Sequence, residues 1–201
     1  MLRAFIAIEL PHQVKEQIAA QTAGLRRKLG HSLRWVPADN LHLTLKFLGE
    51  IASIQIDPLV QALETETKQH ESFEITMEGL GCFPNARRPR VVWVGIVAPA
   101  ALSRLAEGIE TAVAPLGFVA EDRPFSAHLT IGRVREQLPA ADVVSISEAL
   151  QDTHIGRLGS FTAAAVHLFR SDLQPGGPVY RCLSTSALGG KPIHEVKPES
   201  T

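Results

Sequence analysis

The chain has 201 residues, of which 45% are hydrophobic and 20% charged, and its formal net charge is −1 at pH 7. This length and composition fit one globular unit with a sizeable core, or two small lobes too interdependent to separate. A net charge near zero argues against a protein that coats duplexes, so any contact with nucleic acid needs a local basic patch. Cys82 and Cys182 have neither a metal-binding nor a redox spacing, and we expect both thiols to be reduced and inert.

Residues 3–10 alternate as a strand does, with small and branched apolar side chains on one face and Phe5 on the other. Phe5 could stack on a nucleobase if this strand borders a cleft, or could simply cover a neighbouring strand. Glu9 interrupts the apolar run, and no small-residue cleavage site follows it. We therefore expect neither a signal peptide nor a membrane span, and a cytoplasmic protein.

Apolar periodicity, capping residues and turn residues predict the remaining elements. In chain order these are a helix over 11–29, a strand over 33–36, a helix from Asp57, strands over 73–80 and 90–97, a helix over 99–116, a helix from Pro139, and strands over 161–169 and 179–187. The loop before the strand at 90–97 carries Arg87, Arg88 and Arg90. These arginines form either a solvated turn or an electropositive lip for phosphate groups.

Two stretches carry the same tripeptide, His-Leu-Thr, at residues 42–44 and 128–130. Chance would place it twice in about one such sequence in a thousand. Since successive side chains of a strand point to opposite faces, each copy presents an imidazole beside a hydroxyl, with apolar side chains behind. An imidazole can give or take a proton near neutral pH, and a hydroxyl can donate to an anionic oxygen. Two such pairs could bracket one phosphate, as a metal-free phosphodiesterase requires.

A single His-x-Thr is most often a satisfied pair on a half-buried strand, because strands favour threonine. The repetition favours the catalytic interpretation. The stretches LHLTLKFLGE at 41–50 and AHLTIGRVRE at 127–136 resemble the paired signatures of the 2H phosphoesterases. The likeness is greatest to the RNA 2′,3′-cyclic phosphodiesterases, historically called 2′-5′ RNA ligases. It extends through RAFIAIEL near the start and FRSDLQPGGPVYRCL near the end.

The resemblance implies an α+β fold with two pseudo-symmetric lobes, each an antiparallel sheet backed by helices, and one His-x-Thr motif per lobe facing a central groove. The absence of continuous apolar runs typical of parallel sheets also favours an α+β architecture. We expect residues 1–188 to form a single bilobal domain that acts as a monomer. Residues 189–201 are polar and Pro-rich, and we expect a disordered tail.

The resemblance also implies the chemistry, which is hydrolysis of an RNA 2′,3′-cyclic phosphate to a 2′-phosphomonoester without metal or cofactor. In this family His42 would be the proton donor and His128 the proton acceptor, while Thr44 and Thr130 would bind the phosphate. Two histidines, one neutral and one protonated, suit the base and the acid of such a reaction. The symmetry of the two motifs gives no independent reason for that order.

Four other residues are candidates for substrate contacts. Lys46 shares the strand face of His42 in a regular strand, whereas Arg133 points away from the face of His128 unless the strand is bulged. Phe5 and Arg90 are the other two candidates, as a ring that could stack on a base and an arginine of the basic loop.

Three other functions compete with this hypothesis. A metal hydrolase is disfavoured because neither motif supplies two ligands at helical spacing and there is no H-E-x-x-H. A non-catalytic nucleotide-binding module would not require two proton-transfer groups. ATP-independent 2′-5′ RNA ligation, or phosphodiesterase activity on a small 2′-5′ nucleotide, uses the same chemistry and cannot be separated by sequence.

Overall fold

The computed structural model describes residues 1–175 and 177–190. Within them the chain forms nine strands and five α-helices. The strands are β1 (Leu2–Glu9), β2 (Leu33–Trp35), β3 (His42–Ile51), β4 (Phe73–Phe83), β5 (Val91–Val97), β6 (His128–Val134), β7 (Arg157–Ala163), β8 (Ala165–Gln174) and β9 (Gly177–Ala187). The helices are α1 (His12–Gln21), α2 (Ala23–Leu29), α3 (Ile56–Thr67), α4 (Ala100–Val113) and α5 (Ala140–Asp152).

The strands form two antiparallel sheets. The first sheet has four strands in the order β3-β1-β8-β9, and the second has five in the order β2-β6-β5-β4-β7. Helices α3 and α4 contact the first sheet, and α1 contacts the second, beside which α2 packs on α5. The expected α+β fold of two sheets backed by helices is confirmed, and β3 and β6, which carry the two motifs, contact each other where the sheets meet.

The chain passes repeatedly between the two sheets. Strands β1 and β3 belong to the first sheet, β4 to β7 to the second, and β8 and β9 to the first again. The one strand predicted over 161–169 is wrong, because the chain leaves the second sheet at Ala163 and enters the first at Ala165. Both alanines are buried, so a continuous apolar run conceals the change of sheet.

The helix predicted over 11–29 is two helices that meet at Thr22. The Thr22 side chain is buried, and its Oγ1 donates a hydrogen bond to the carbonyl of Ile18 at 2.7 Å. Such bonding by a hydroxyl to the preceding turn competes with the helical ladder. The apolar stripe continues across the break, which is why periodicity does not reveal it.

The described chain closes with a single turn at Leu188–Gly190, where the Leu188 amide donates to the carbonyl of Ala164 at 2.8 Å. The disorder expected from residue 189 onward falls mainly on 191–201, which lie outside the described residues. No helix in the described part of the chain has the length and apolar character needed to cross a membrane.

Candidate active site

The first motif begins strand β3 with the alternation expected from the sequence. Leu43 and Leu45 are buried against the helices, whereas His42 and Thr44 are half-buried on the opposite face. That face also carries Phe5 and Ala7 of β1, since Ala7 lies opposite Thr44. We call it the catalytic face of the first sheet.

The second motif repeats this arrangement at the start of β6. Leu129 and Ile131 are buried, and His128 and Thr130 are half-buried on the other face. Thr130 lies opposite Trp93 of β5, as Thr44 lies opposite Ala7 of β1. Among the described residues, neither threonine hydroxyl makes a hydrogen bond to protein, which leaves both available to a ligand.

Both imidazoles are held by the same backbone contact. The Nδ1 of His42 lies 2.8 Å from the carbonyl oxygen of Asn40, and the Nδ1 of His128 lies 2.7 Å from that of Ser126. Because a carbonyl only accepts, Nδ1 must carry the proton and donate it. The Nε2 of each ring is therefore the atom that can take or give a proton. Asn40 is itself held by a hydrogen bond, since its Nδ2 donates to the carbonyl of Pro178 at 2.8 Å.

Aromatic rings hold the two imidazoles in place. His42 lies 4.7 Å from the ring of Phe5 and meets Tyr180 edge-on at 5.1 Å, while His128 meets Phe83 edge-on at 4.9 Å. Phe5 also stacks on Phe169 at 5.3 Å and is only 4% exposed. The predicted contact between Phe5 and a nucleobase is therefore wrong, because packing has buried this ring beneath His42.

The surroundings of His42 lower its pKa. Burial is the main cause, because it disfavours the charged ring, and the cations Lys15 and Arg133 act in the same direction. The hydrogen bond to the Asn40 carbonyl and the charge of Glu9 raise the pKa and offset part of this shift. The free enzyme thus favours neutral His42. Burial raises the pKa of Tyr180, and the charge of Arg133 opposes part of this shift.

A bulge in β3 decides the position of Lys46. Thr44 lies opposite Ala7, but Lys46 lies opposite Ile6, so the register shifts by one residue between them. Lys46 consequently turns toward the helices, where it is 2% exposed and its Nζ donates to Glu110 Oε2 and to the carbonyl of Val119, both at 2.7 Å. The predicted contact of Lys46 with substrate phosphate is wrong.

A matching bulge in β6 decides the position of Arg133. Trp93 lies opposite Thr130 and Val91 opposite Arg133, so these four side chains share one face of the second sheet. Strand β6 is thus bulged, and the bulge turns Arg133 to the face of Thr130. Gly132 takes the place equivalent to Lys46, and a Cβ on it would lie 2.8 Å from the side chain of Leu33, which covers it from β2.

The same bulge exposes a residue that the sequence reasoning missed. Phe47 follows Lys46 and lies opposite Phe5 on the catalytic face, with the ring centroids 6.4 Å apart. Its exposure is 60%, unusually high for an aromatic ring. Phe47 and Arg133 each stand three residues after the threonine of their motif, so an alignment of the two copies would have drawn attention to both.

Arg90 immediately precedes β5, and its amide donates to the carbonyl of Phe83 at 2.7 Å while its carbonyl accepts from the amide of Val134 at 2.9 Å. The next residue, Val91, shares the face of Arg133. Alternation places Arg90 on the opposite face, which argues against the predicted contact with substrate.

Among residues 1–175 and 177–190, no three histidine, cysteine or acidic side chains lie close enough together to hold a metal ion.

Several known proteins are similar to this chain in sequence and in structure. The chain is 32% identical over 182 residues to a protein of Archaeoglobus fulgidus named RNA 2′,3′-cyclic phosphodiesterase, covering 90% of this chain and 98% of the relative. A protein of the same name from Methanothermobacter thermautotrophicus is 31% identical over 179 residues, covering 89% and 95%. The crystal structure of TT0787 of Thermus thermophilus has a TM-score of 0.78 and 29% identity, covering 94% of this chain and all of the other.

The crystal structure of Escherichia coli LigT complexed with 3′-AMP has a TM-score of 0.68 and 30% identity, and the match covers 93% of this chain and 98% of LigT. A sequence profile described as LigT like Phosphoesterase matches residues 8–93 and again 94–180, one match for each His-x-Thr motif. With two anchored histidines, each beside a threonine hydroxyl, and this doubled profile, the chain belongs to the LigT-like phosphoesterases.

Proposed function

We propose that this protein hydrolyses the 2′,3′-cyclic phosphate at the end of an RNA strand to a 2′-phosphomonoester. The observation that carries the proposal is the pair of imidazoles, each anchored through Nδ1 to a backbone carbonyl and each two residues before a threonine on the same face of its strand. The names of the relatives, RNA 2′,3′-cyclic phosphodiesterases, support the choice of substrate. The solved complexes of E. coli LigT with 3′-AMP and with phosphate support a nucleotide and phosphate site in this fold.

In this mechanism the neutral Nε2 of His128 takes a proton from water, and the water oxygen attacks phosphorus. The bond from phosphorus to the 3′ oxygen breaks, and Nε2 of protonated His42 gives its proton to that oxygen. The hydroxyls of Thr44 and Thr130 donate to the non-bridging oxygens, where negative charge accumulates in the transition state. The assignment of acid and base follows the family resemblance.

The lowered pKa of His42 suits an acid whose charged form is favoured by bound substrate. The cyclic phosphate is an anion, and an anion within a few ångströms favours the imidazolium. Substrate binding thus promotes the protonation that the leaving oxygen requires. We infer that the protein acts as a monomer, because one chain supplies both motifs, and light scattering at assay concentration checks this.

The test is turnover of adenosine 2′,3′-cyclic monophosphate in the presence of a chelator. The variants His42→Ala and His128→Ala should each lose about 10²- to 10⁴-fold in kcat while remaining folded, and the double variant should be little worse than either. His154→Ala, which removes an exposed histidine that follows α5, is the matched control. Phosphorus NMR identifies the product isomer.

Three outcomes would contradict the proposal. One is near-wild-type turnover in either single variant. The second is loss of wild-type activity on adding the chelator, which would indicate a metal-bound hydroxide. The third is a predominantly 3′-phosphate product, which would mean that the roles of the two histidines are exchanged or that the substrate lies in the opposite direction.

A further inference from the structure

Two arginines face each other across the ladder between β2 and β6. Arg34 lies directly opposite Arg133, and directly opposed residues of an antiparallel pair present their side chains on the same face of a sheet. Arg133 shares its face with Thr130, as shown by their partners on β5. Arg34 therefore lies on the same face of the second sheet as Thr130 and Arg133, one strand beyond Arg133.

The charges of this pair are not balanced by nearby carboxylates. Both side chains are exposed, and in the described part of the chain neither forms a salt bridge. Like charges directly opposite each other destabilise a strand pair. By contrast, Arg157 pairs with Glu74 at 3.4 Å and Arg170 pairs with Asp172 at 2.7 Å. An unbalanced cationic pair in a chain of net charge −1 indicates a surface whose counter-charge comes from a ligand.

The position of the two arginines indicates which group of a ligand they contact. Arg133 shares a face of β6 with Thr130, and its charge also acts to lower the pKa of His42, so it lies beside the proposed site of the reacting phosphate. Arg34 lies one strand spacing farther out, about 4.8 Å. Guanidinium groups bind phosphate oxygens in a planar, bidentate manner. The pair is thus suited to a second phosphate group next to the first.

We propose that Arg34 and Arg133 together bind the phosphate on the 5′ side of the terminal nucleoside, so that the site distinguishes the end of an RNA strand from a free cyclic mononucleotide. This inference rests on the proposed function and specifies its substrate class. Two sources could supply that phosphate: a 5′-terminal phosphate on a mononucleotide, or the phosphodiester that joins the last two nucleotides of a strand.

Three substrates separate these sources. Adenosine 2′,3′-cyclic monophosphate lacks the second phosphate, its 5′-phosphorylated form carries one as a monoester, and the dinucleotide ApA with a 2′,3′-cyclic end carries one as a diester. Arg34→Gln should lower kcat/KM for the dinucleotide about tenfold. It should leave kcat/KM for adenosine 2′,3′-cyclic monophosphate within about twofold of wild type. For the dinucleotide only, it should also reduce the slope of log kcat/KM against log salt concentration by about one. Arg27→Gln, which removes an exposed arginine of α2, should change none of these values.

Arg34→Lys provides a second variant that keeps the charge without the planar fork, and it should recover only part of the activity on the dinucleotide. Equal losses on all three substrates, or no loss on the dinucleotide, would overturn the inference. A loss confined to the 5′-phosphorylated mononucleotide would overturn it as well, because the site would then recognise a free nucleotide. Failure of the proposed function has a different result, since wild-type protein would not hydrolyse even the simple cyclic mononucleotide.

Discussion

His42 and His128 share one backbone anchor but differ in their surroundings. Phe5 and Tyr180 enclose the first ring, and the charges of Lys15 and Arg133 act on it, so that its pKa is lowered. A lowered pKa has a direct consequence for a residue that must be protonated to act. The pH dependence of the reaction should therefore report this environment.

We expect kcat/KM to be bell-shaped in pH, with its falling limb below about pH 6.5, the ordinary pKa of histidine. The sign follows from the proposed role of His42 as the acid: a lowered pKa means that the free enzyme loses the required proton at lower pH. The falling limb of kcat should lie at a higher pH than that of kcat/KM, because bound phosphate favours the imidazolium. Both limbs belong to the coupled pair of histidines. Initial rates measured across pH, analysed separately for kcat and kcat/KM, check this.

A second measurement isolates the contribution of Arg133. Its cation lowers the pKa of His42, so Arg133→Gln should raise that pKa in a titration of the imidazole resonances by NMR. Arg27→Gln is the control and should leave the titration unchanged. A downward shift in Arg133→Gln would mean that Arg133 does not face His42.

Phe47 is the exposed ring on the catalytic face, and we expect it to stack on the nucleobase in place of the buried Phe5. Stacking of a base on an aromatic side chain contributes about 1–3 kcal/mol. Phe47→Ala should therefore raise KM for adenosine 2′,3′-cyclic monophosphate by about 5- to 150-fold, with a smaller change in kcat. Phe47→Tyr keeps the ring and should stay near wild type. A KM unchanged in Phe47→Ala would exclude this contact.

At the scale of the element, the two bulged strands show what alternation can and cannot predict. Alternation correctly placed each histidine and threonine on one face, since they precede the bulge. It placed Lys46 wrongly, because one extra residue reverses every side chain that follows. The break at Thr22 and the change of sheet at Ala164 were missed for a related reason: the apolar pattern continues through both, and only long-range pairing reveals them.

The bulge in β3 leads to a stability prediction. Lys46 is buried and bonded to Glu110, and removing one partner of such a pair leaves a buried charge without compensation. Glu110→Gln should lower the free energy of unfolding by about 3 kcal/mol, whereas Lys46→Met should cost less and keep kcat, because Lys46 faces away from the substrate.

Urea denaturation and steady-state rates measure the two effects. The control is Glu74→Gln, which breaks the exposed pair with Arg157 and should cost about 0–1 kcal/mol. Loss of kcat in a fully folded Lys46→Met protein would contradict the structural role of this lysine.

At the scale of the whole molecule, neither half of the sequence makes a lobe by itself. The profile matches 8–93 and 94–180, but each sheet takes strands from both halves. A chain that stopped after β5 would lack β8 and β9 of the first sheet and β6 and β7 of the second. The two-lobed α+β architecture was predictable from the doubled motif and the family it resembles. The assignment of strands to sheets was not, since it depends on pairings between residues far apart in sequence.

The equivalent positions of Phe47 and Arg133 have a consequence for the direction in which a strand can bind. An RNA strand has polarity, whereas two identical half-sites related by a twofold axis have none. A groove with the same residue at both positions would accept the strand equally well in either direction, exchange the acid for the base, and release a mixture of 2′- and 3′-phosphates. Because Phe47 is an aromatic ring and Arg133 a guanidinium, we expect the base to bind on one side and the RNA backbone on the other. One direction of binding and one product isomer should then predominate.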